Sequence, residues 1–401
     1  MTVRVDAPRT ELAPGPADGP VGVYLHIPFC AHICPYCDFN TYAGQGALIP
    51  RYVAALTREI ERWAPRLTGR SIATVFLGGG TPSLLSPDQV ASLIATCRAI
   101  APMEPSAEIT LEANPNGVDE RYFTGLLGAG VTRLSIGVQT LSPRGLRRLG
   151  RLHEPSDAHA AFTAANAAGF SNLSADFIFG WPTQTLDDWE RDLDVIANAE
   201  LGGAPLDHVS LYSLIIEPGT PMADAVARSI LSVPDDDAAA DMYERAIERL
   251  GQTGWLHYEV ANWARAEEVM YRHNRVYWRN ADFIGAGAGA HGTVAGRRWM
   301  NQALPRTYIE AIEAGMDPAA TREEIPGRTA MGETMMLGLR LLREGVDRMA
   351  FAHRHGTTLE DAFGPEMAQL DAEGLINRDA HGIRLTQRGL LLANDVCARF
   401  L

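Results

Sequence analysis

The run V-G-V-Y-L-H-I-P-F-C-A-H-I-C-P-Y-C-D-F, from Val21 to Phe39, carries both the fold and the chemistry of this chain. Its first nine residues, 21–29, form a short apolar run that reads as a buried strand. Three cysteines follow at once, Cys30, Cys34 and Cys37, on a loop at the strand's carboxyl end. Five similar runs recur downstream: TVFLGGG at 74–80, EITLEANP at 108–115, RLSIGVQ at 133–139, NLSADFIFG at 172–180 and HVSLYSL at 208–214. Between them lie the stretches YVAALTREIERWA, DQVASLIATCRAI, DERYFTGLLGAG and LDDWERDLDVIANA. Apolar residues there recur at helical spacing, with acids often near the start. Six strand–helix units imply an α/β fold whose parallel sheet is wound into a barrel or an open partial barrel. Such sheets carry their chemistry at the carboxyl ends of the strands. The unusual residues fall there: the cysteines after the first strand, glycines ending the second, Glu112 and Asn114 ending the third, and Gln139 ending the fourth. Asp176 lies within the fifth.

Composition narrows the classes. A chain of 401 residues fits one large α/β domain with a small appendage. At 46% apolar and 21% charged residues, most of it should fold. The net charge of -14 argues against a general nucleic-acid binder. All 35 basic residues are arginine, which excludes a Schiff-base lysine, a P-loop lysine and a lysine general base. No stretch approaches the roughly 18 apolar residues of a membrane span. Residues 1–20 hold prolines and acids where a signal peptide needs an apolar core, so a flexible leader and a cytoplasmic protein are expected. Five cysteines, three of them within eight residues, make a poor disulfide framework. Cys97 reads as a buried small residue, and Cys397 as structural or incidental.

The spacing of Cys30, Cys34 and Cys37 is CxxxCxxC. Three thiolates on one short loop suit a [4Fe–4S] cluster with one iron left open, because a structural cluster or zinc site usually takes four ligands. A zinc site completed by His26 or His32 is the alternative, in which the chain would be a zinc-stapled, non-enzymatic adaptor.

The CxxxCxxC loop after a first strand resembles the radical S-adenosyl-L-methionine (SAM) superfamily. The segments YLHIPFC, LGGGTPS, RLSIGVQ, GRLH, ADFIFGWPTQT, HVSLYSL, EPGTPM and HNRVYW resemble its coproporphyrinogen-oxidase-like branch. The resemblance implies a partial (β/α)6 TIM-like barrel, with Cys30, Cys34 and Cys37 holding the cluster and SAM chelating the open iron. It also implies a SAM site. Gly79, Gly80 and Thr81 would contact the amino group and methionyl backbone, and Glu112 and Gln139 the amino or ribose hydroxyl groups. Arg151 would meet the carboxylate, Asp176 the ribose or adenine, and Tyr24 is a further contact.

Two subfamilies share these motifs. Oxygen-independent coproporphyrinogen III oxidases, which act in porphyrin biosynthesis, carry a further cysteine two places after the third and a longer N-terminal extension. Here that place is Phe39. CPYCDF with HNRVYW resembles instead the HemW-type haem chaperones, which bind haem and deliver it to haem-requiring proteins, acceptors at the membrane surface among them. In that reading His273 is an axial ligand, Tyr277 and Trp278 pack on the porphyrin, and Arg272 or Arg275 meets the propionates.

The expected division is a leader at 1–20, the barrel at 21–240, an extension with HNRVYW at 241–320, and a small helical module at 321–401. In that module two helices, a hairpin around the turn 379–382 and a further helix resemble a winged-helix unit. It has no basic recognition face, so packing or substrate covering is the expected role.

Overall fold

Alternation along the first strand gives the sheet two unlike faces. Strand β1 (Val21–Ile27) sends Val21, Val23, Leu25 and Ile27 to one side and Gly22, Tyr24 and His26 to the other. The pattern repeats in β2 (Ile72–Gly79), β3 (Met103–Ala113), β4 (Arg133–Gln139), β5 (Leu173–Phe179) and β6 (His208–Ser213). Register keeps the polar residues together: Gly22 pairs with Thr74, Thr74 with Glu108, Glu112 with Ser135, Ser135 with Ser174, and Ser174 with His208. The structure, a computed structural model, describes residues 19–401, so the leader expected over 1–20 lies, except for Gly19 and Pro20, outside the described residues.

The apolar face is covered by α1 (Ile49–Glu61), α2 (Pro87–Ile100), α3 (Glu120–Ala129), α5 (Pro155–Ala167) and α6 (Leu186–Ala197); a short α4 (Pro143–Arg148) precedes α5. Leu56, Leu93, Leu126, Phe162 and Leu193 share one core with Val23, Leu77 and Leu111. Local signals place these helices. Ser86 and Gln89 form a capping box at the start of α2, as Thr185 and Asp188 do at α6. Helix α3 stops at Gly130, whose φ of 100° is left-handed.

The six strands expected from sequence are parallel neighbours, and the sheet extends beyond both edges. After α7 (Pro221–Ala227) and α8 (Asp236–Gln252), β8 (Asn262–Ala264) pairs antiparallel with β6, and β7 (Leu256–Glu259) pairs antiparallel with β8. Helix α9 (Arg272–Trp278) then leads into β9 (Phe283–Ala286), which runs parallel to β1 on its free side. Strands β10 (His291–Val294), β11 (Arg297–Asn301) and β12 (Ala319–Glu324) follow as a meander. The order is β7-β8-β6-β5-β4-β3-β2-β1-β9-β10-β11-β12, and its two ends do not pair, so the barrel is open. Segment 241–320 therefore continues the same sheet.

A second core, built around Met335, Leu339, Phe351, Phe363 and Phe400, occupies the C-terminal part. Its hairpin, β14 (Ile376–Arg378) and β15 (Gly382–Leu385), turns where sequence places it, and β13 (Val346–Asp347) joins as a third strand. Among the described residues no helix is long and apolar enough to cross a membrane.

Candidate functional site

Beyond β1 the chain turns at Pro28, and Phe29–Cys30 pairs with Tyr42–Ala43, which closes the cysteine loop at its base. All three cysteines are unpaired and half-buried. Cys30 Sγ accepts a hydrogen bond from Thr81 Oγ1 at 3.4 Å, and Cys34 Sγ accepts one from Arg151 Nη1 at 3.6 Å. Cys37 Sγ lies 3.9 Å from Thr41 Oγ1. Burial pushes the Cys30 thiol up, and the neighbouring Cys37 and Cys34 thiols add to this. The loop is held from behind. His26 Nε2 lies 2.9 Å from Asn40 O, and Asn40 Nδ2 donates to Ala288 O and Ala303 O, each at 3.0 Å. Residue 288 belongs to the glycine-rich segment after β9, so the seventh parallel strand contributes its carboxyl end to the same place.

The ends of β2, β3, β4 and β5 bring the remaining expected residues together. Gly79 has a φ of 108°, and a Cβ there would lie 2.3 Å from the His26 ring, so only glycine fits. Its N–H donates to Glu112 Oε2 at 3.0 Å, while Gly80 N donates to Ile27 O at 2.9 Å. Burial, then the nearby Asp176 carboxylate, raises Glu112 to about 7. Burial also raises Asp176 to about 6, against hydrogen bonds from Ser135 Oγ at 3.0 and 2.8 Å. Arg151 reaches three groups: Cys34 Sγ, Asn114 Oδ1 and, at 3.4 Å, Gly137 O. Gln139 sits at a φ of 67°, a left-handed conformation uncommon for a side chain of its kind, at the bulge that ends β4. Tyr24 Oη lies 2.9 Å from His26 Nδ1.

The HNRVYW segment lies elsewhere. Helix α9 packs on the polar face near the amino ends of β1 and β2, closing the interior from the opposite side. His273 has no exposed surface; Nδ1 lies 2.7 Å from Thr74 Oγ1 and Nε2 lies 2.7 Å from Tyr277 Oη. Burial lowers it to about 3, so the ring is neutral. Both ring nitrogens are engaged, and as the chain stands His273 presents no lone pair to an external iron. Arg272 pairs with Glu104 at 3.1 Å and Arg275 with Glu344, while the half-buried Trp278 ring lies under Arg340.

Sequence reasoning gave no role to Asn114, Ser135, Thr74, Glu108, Arg133, Ser174 or His208, all on the polar face or its carboxyl end. A signal was present: every second residue of β3 and β4 is polar or glycine where a doubly covered parallel strand would be apolar.

The donor set fits a cluster. Among the described residues no three His, Cys, Asp or Glu side chains converge closely enough for a single metal ion. A cubane takes three thiolates on three separate irons and leaves the fourth open, so its ligands stand farther apart than those of a single ion.

Comparison with known proteins identifies relatives of the chain. The Radical SAM superfamily matches residues 24–196, and the HemN C-terminal domain matches residues 325–392. The chain is 40% identical over 398 residues to the heme chaperone HemW of Mycobacterium tuberculosis (strain H37Rv), covering 97% of each chain. It is 36% identical to the heme chaperones HemW of Bacillus subtilis, with 94% of this chain and 98% of that one covered, and of Escherichia coli K12, with 95% and 98% covered. The solved coproporphyrinogen III oxidase HemN of Escherichia coli superposes with a TM-score of 0.79 at 23% identity, covering 95% of this chain and 90% of that one. That likeness establishes the fold alone. Three cysteines on one short loop at the end of β1, on an open parallel sheet of a chain matched over nearly its whole length, lead to one conclusion: the chain belongs to the radical SAM superfamily and, within it, to the HemW family.

Proposed function

We propose that this protein is a cytoplasmic haem chaperone that binds haem and passes it to haem-requiring proteins, acceptors at the membrane surface among them. The observation that carries the reading is position 39. The oxidases resembled in the sequence place a further cysteine there, whereas this chain has Phe39, 68% exposed at the edge of the site. Likeness over nearly the full chain to the heme chaperones HemW supports the same choice. The proposed division is a barrel over 21–240, an extension over 241–320 and a C-terminal module over 321–401.

Cys30, Cys34 and Cys37 would hold a [4Fe–4S] cluster, which when bound supplies an electron and an open iron for the amino and carboxylate groups of SAM. Arg151 is the fork for the SAM carboxylate, already directed to the cysteine loop by Asn114 and Gly137 O. Glu112 and Asp176, raised toward neutrality, can accept from or donate to the amino and ribose groups, with Gln139 and Tyr24 beside them. Gly79, Gly80 and Thr81 shape the wall more than they donate, because their N–H groups bond to Glu112, Ile27 and Phe29. For His273, Tyr277 and Trp278 to serve haem, α9 would have to release the His273–Tyr277 bond.

The test is a haem titration of anaerobically reconstituted protein followed at the Soret band, beside incubation with coproporphyrinogen III, SAM and reductant. Haem binding without decarboxylation is expected. SAM-dependent formation of protoporphyrinogen IX, or protein that fails to bind haem with or without its cluster, overturns the reading.

A further inference from the structure

We propose that the haem iron is ligated by His32, on the cysteine loop itself, and that the porphyrin lies on the exposed apolar rim around it. The inference rests on the haem-chaperone reading and locates the site that reading requires.

The eleven histidines can be sorted by access. His26, His153, His208 and His273 are buried, each ring within hydrogen-bond distance of a neighbour. His257 is stacked flat on Trp263, with centroids 4.0 Å apart. His159 lies on α5, over the outer face, and His353, His355 and His381 belong to the C-terminal part. At the carboxyl end of the sheet two exposed rings remain, His32 and His291. They differ in surroundings. His291 lies opposite the half-buried Met300 across the β10–β11 pair, with Ala290 and Gly292 on either side. His32 is followed by Ile33, 41% exposed, and its loop ends in the exposed Phe39.

A third apolar side chain, Leu152, belongs to the same rim and is 64% exposed. It follows Arg151, whose guanidinium reaches Cys34, and Gly150 lies so close to Pro35 that a Cβ would come within 2.4 Å of the proline ring. Exposed apolar residues gathered at one opening and rimmed by charge mark a binding surface. The charge is of the right sign: Arg147 and Arg148 are exposed in the last turn of α4, just before Gly150, in a chain whose net charge is -14. A flat apolar ring with one imidazole-seeking metal and two carboxylates matches this set: Ile33, Phe39 and Leu152 for the ring, His32 for the iron, the two arginines for the propionates.

The experiment titrates full-length, cluster-loaded protein with haem and reads Soret position, low-temperature EPR and iron–sulfur content together. His32→Ala should lose the wild-type Soret position and bind haem at least tenfold more weakly, and added imidazole should restore the spectrum. Phe39→Ser with Leu152→Ser should weaken affinity and leave the iron's ligand field as it was. His291→Ala should not alter the spectrum. Should His32→Ala fail to hold its cluster, His32→Gln and the Phe39/Leu152 pair carry the same readouts. A wild-type spectrum and affinity in His32→Ala, or a spectrum that moves with His291→Ala or His273→Ala instead, overturns the assignment while the chaperone reading stands. Wild-type protein that binds no haem removes the reading itself.

Discussion

The polar face of the sheet is closed at its amino end and open at its carboxyl end, and similar residue types behave differently at the two. At the closed end Glu108 Oε1 accepts from Arg272 N and His273 N, each at 3.1 Å, and Oε2 faces Arg133 at 3.5 Å. Arg133 donates to Val269 O at 2.8 Å and lies 3.6 Å over the Tyr271 ring, which takes the place of partners for Nε and Nη2. His208 bridges Ser174 and Tyr258 at 2.8 Å each. At the open end three unpaired thiols share one short loop, Gln139 is held at a positive φ, and two carboxyls are pushed toward neutrality. Polar groups that answer one another hold a fold; polar groups that converge without answering one another await a ligand.

The contrast is tested most severely at the sulfurs. Cys34→Ala should abolish four-iron loading, since two thiolates cannot anchor three irons, and should change the apo protein's urea midpoint little because the side chain is half-buried. Cys97→Ala should keep full iron content, as that thiol is buried in the core and burial raises it to about 12. Iron lost in Cys97→Ala but retained in Cys34→Ala would reverse the assignment of the open end.

The closed end should show the opposite profile. Arg133→Met leaves Glu108 without its cationic neighbour in a buried setting and should cost about 3–5 kcal/mol of unfolding free energy, with iron per chain preserved. Adding Glu108→Gln to that variant should recover part of the loss. A urea midpoint equal to wild type in Arg133→Met would mean that the Arg133–Glu108 pair is not holding the sheet.

A smaller effect belongs to Arg151, which reaches into the open end. Arg151→Ala should weaken SAM binding by about 1.5–3 kcal/mol, tenfold or more, the scale of a charge-assisted hydrogen bond. Iron content must be measured in the same sample, because this side chain also touches Cys34. Unaltered SAM affinity with the cluster intact would remove Arg151 from the site.

The central strands and the site at their ends were legible in the sequence because both depend on local signals. Runs such as 133–139 alternate cleanly, and the cysteines, the three glycines, Glu112 and Gln139 sit where strands stop. What escaped depends on tertiary context. Strand β9 is F-I-G-A, four residues with little contrast, and it is a strand only because β1 offers a free edge. Helix α5 is alanine-rich, with apolar and small residues on all sides, so periodicity is weak. HNRVYW reads as a ligand site from its residue types. Its burial follows from Thr74 and Glu108, which lie more than a hundred residues away in sequence, and no local pattern reports such contacts.

The finest test of the two ends uses pH, because their titratable groups are shifted in opposite senses. Glu112 titrates near 7 in the fold, against roughly 4.3 in an unfolded chain. An acid raised in this way stabilises the fold fully below its unfolded value, and that contribution is lost as pH rises toward 7, where folding must bury a carboxylate. His273 is shifted down to about 3 from an unfolded value of roughly 6.5, so its contribution is present above 6.5 and is lost as pH falls toward 3. Glu112→Gln keeps an acceptor for Gly79 N and removes the charge. Without cluster or SAM, it should match wild type near pH 4 and melt a few degrees higher near pH 8. The difference between the two curves isolates Glu112 from Glu59 and Glu259, which burial also raises to about 7 and which both proteins retain. Asp176→Asn should follow the same direction in a lower window that ends near 6. A Glu112→Gln variant less stable than wild type at pH 8 would mean that the carboxylate is satisfied there as fully as Glu108 is at the closed end, and the distinction between the two ends would fall.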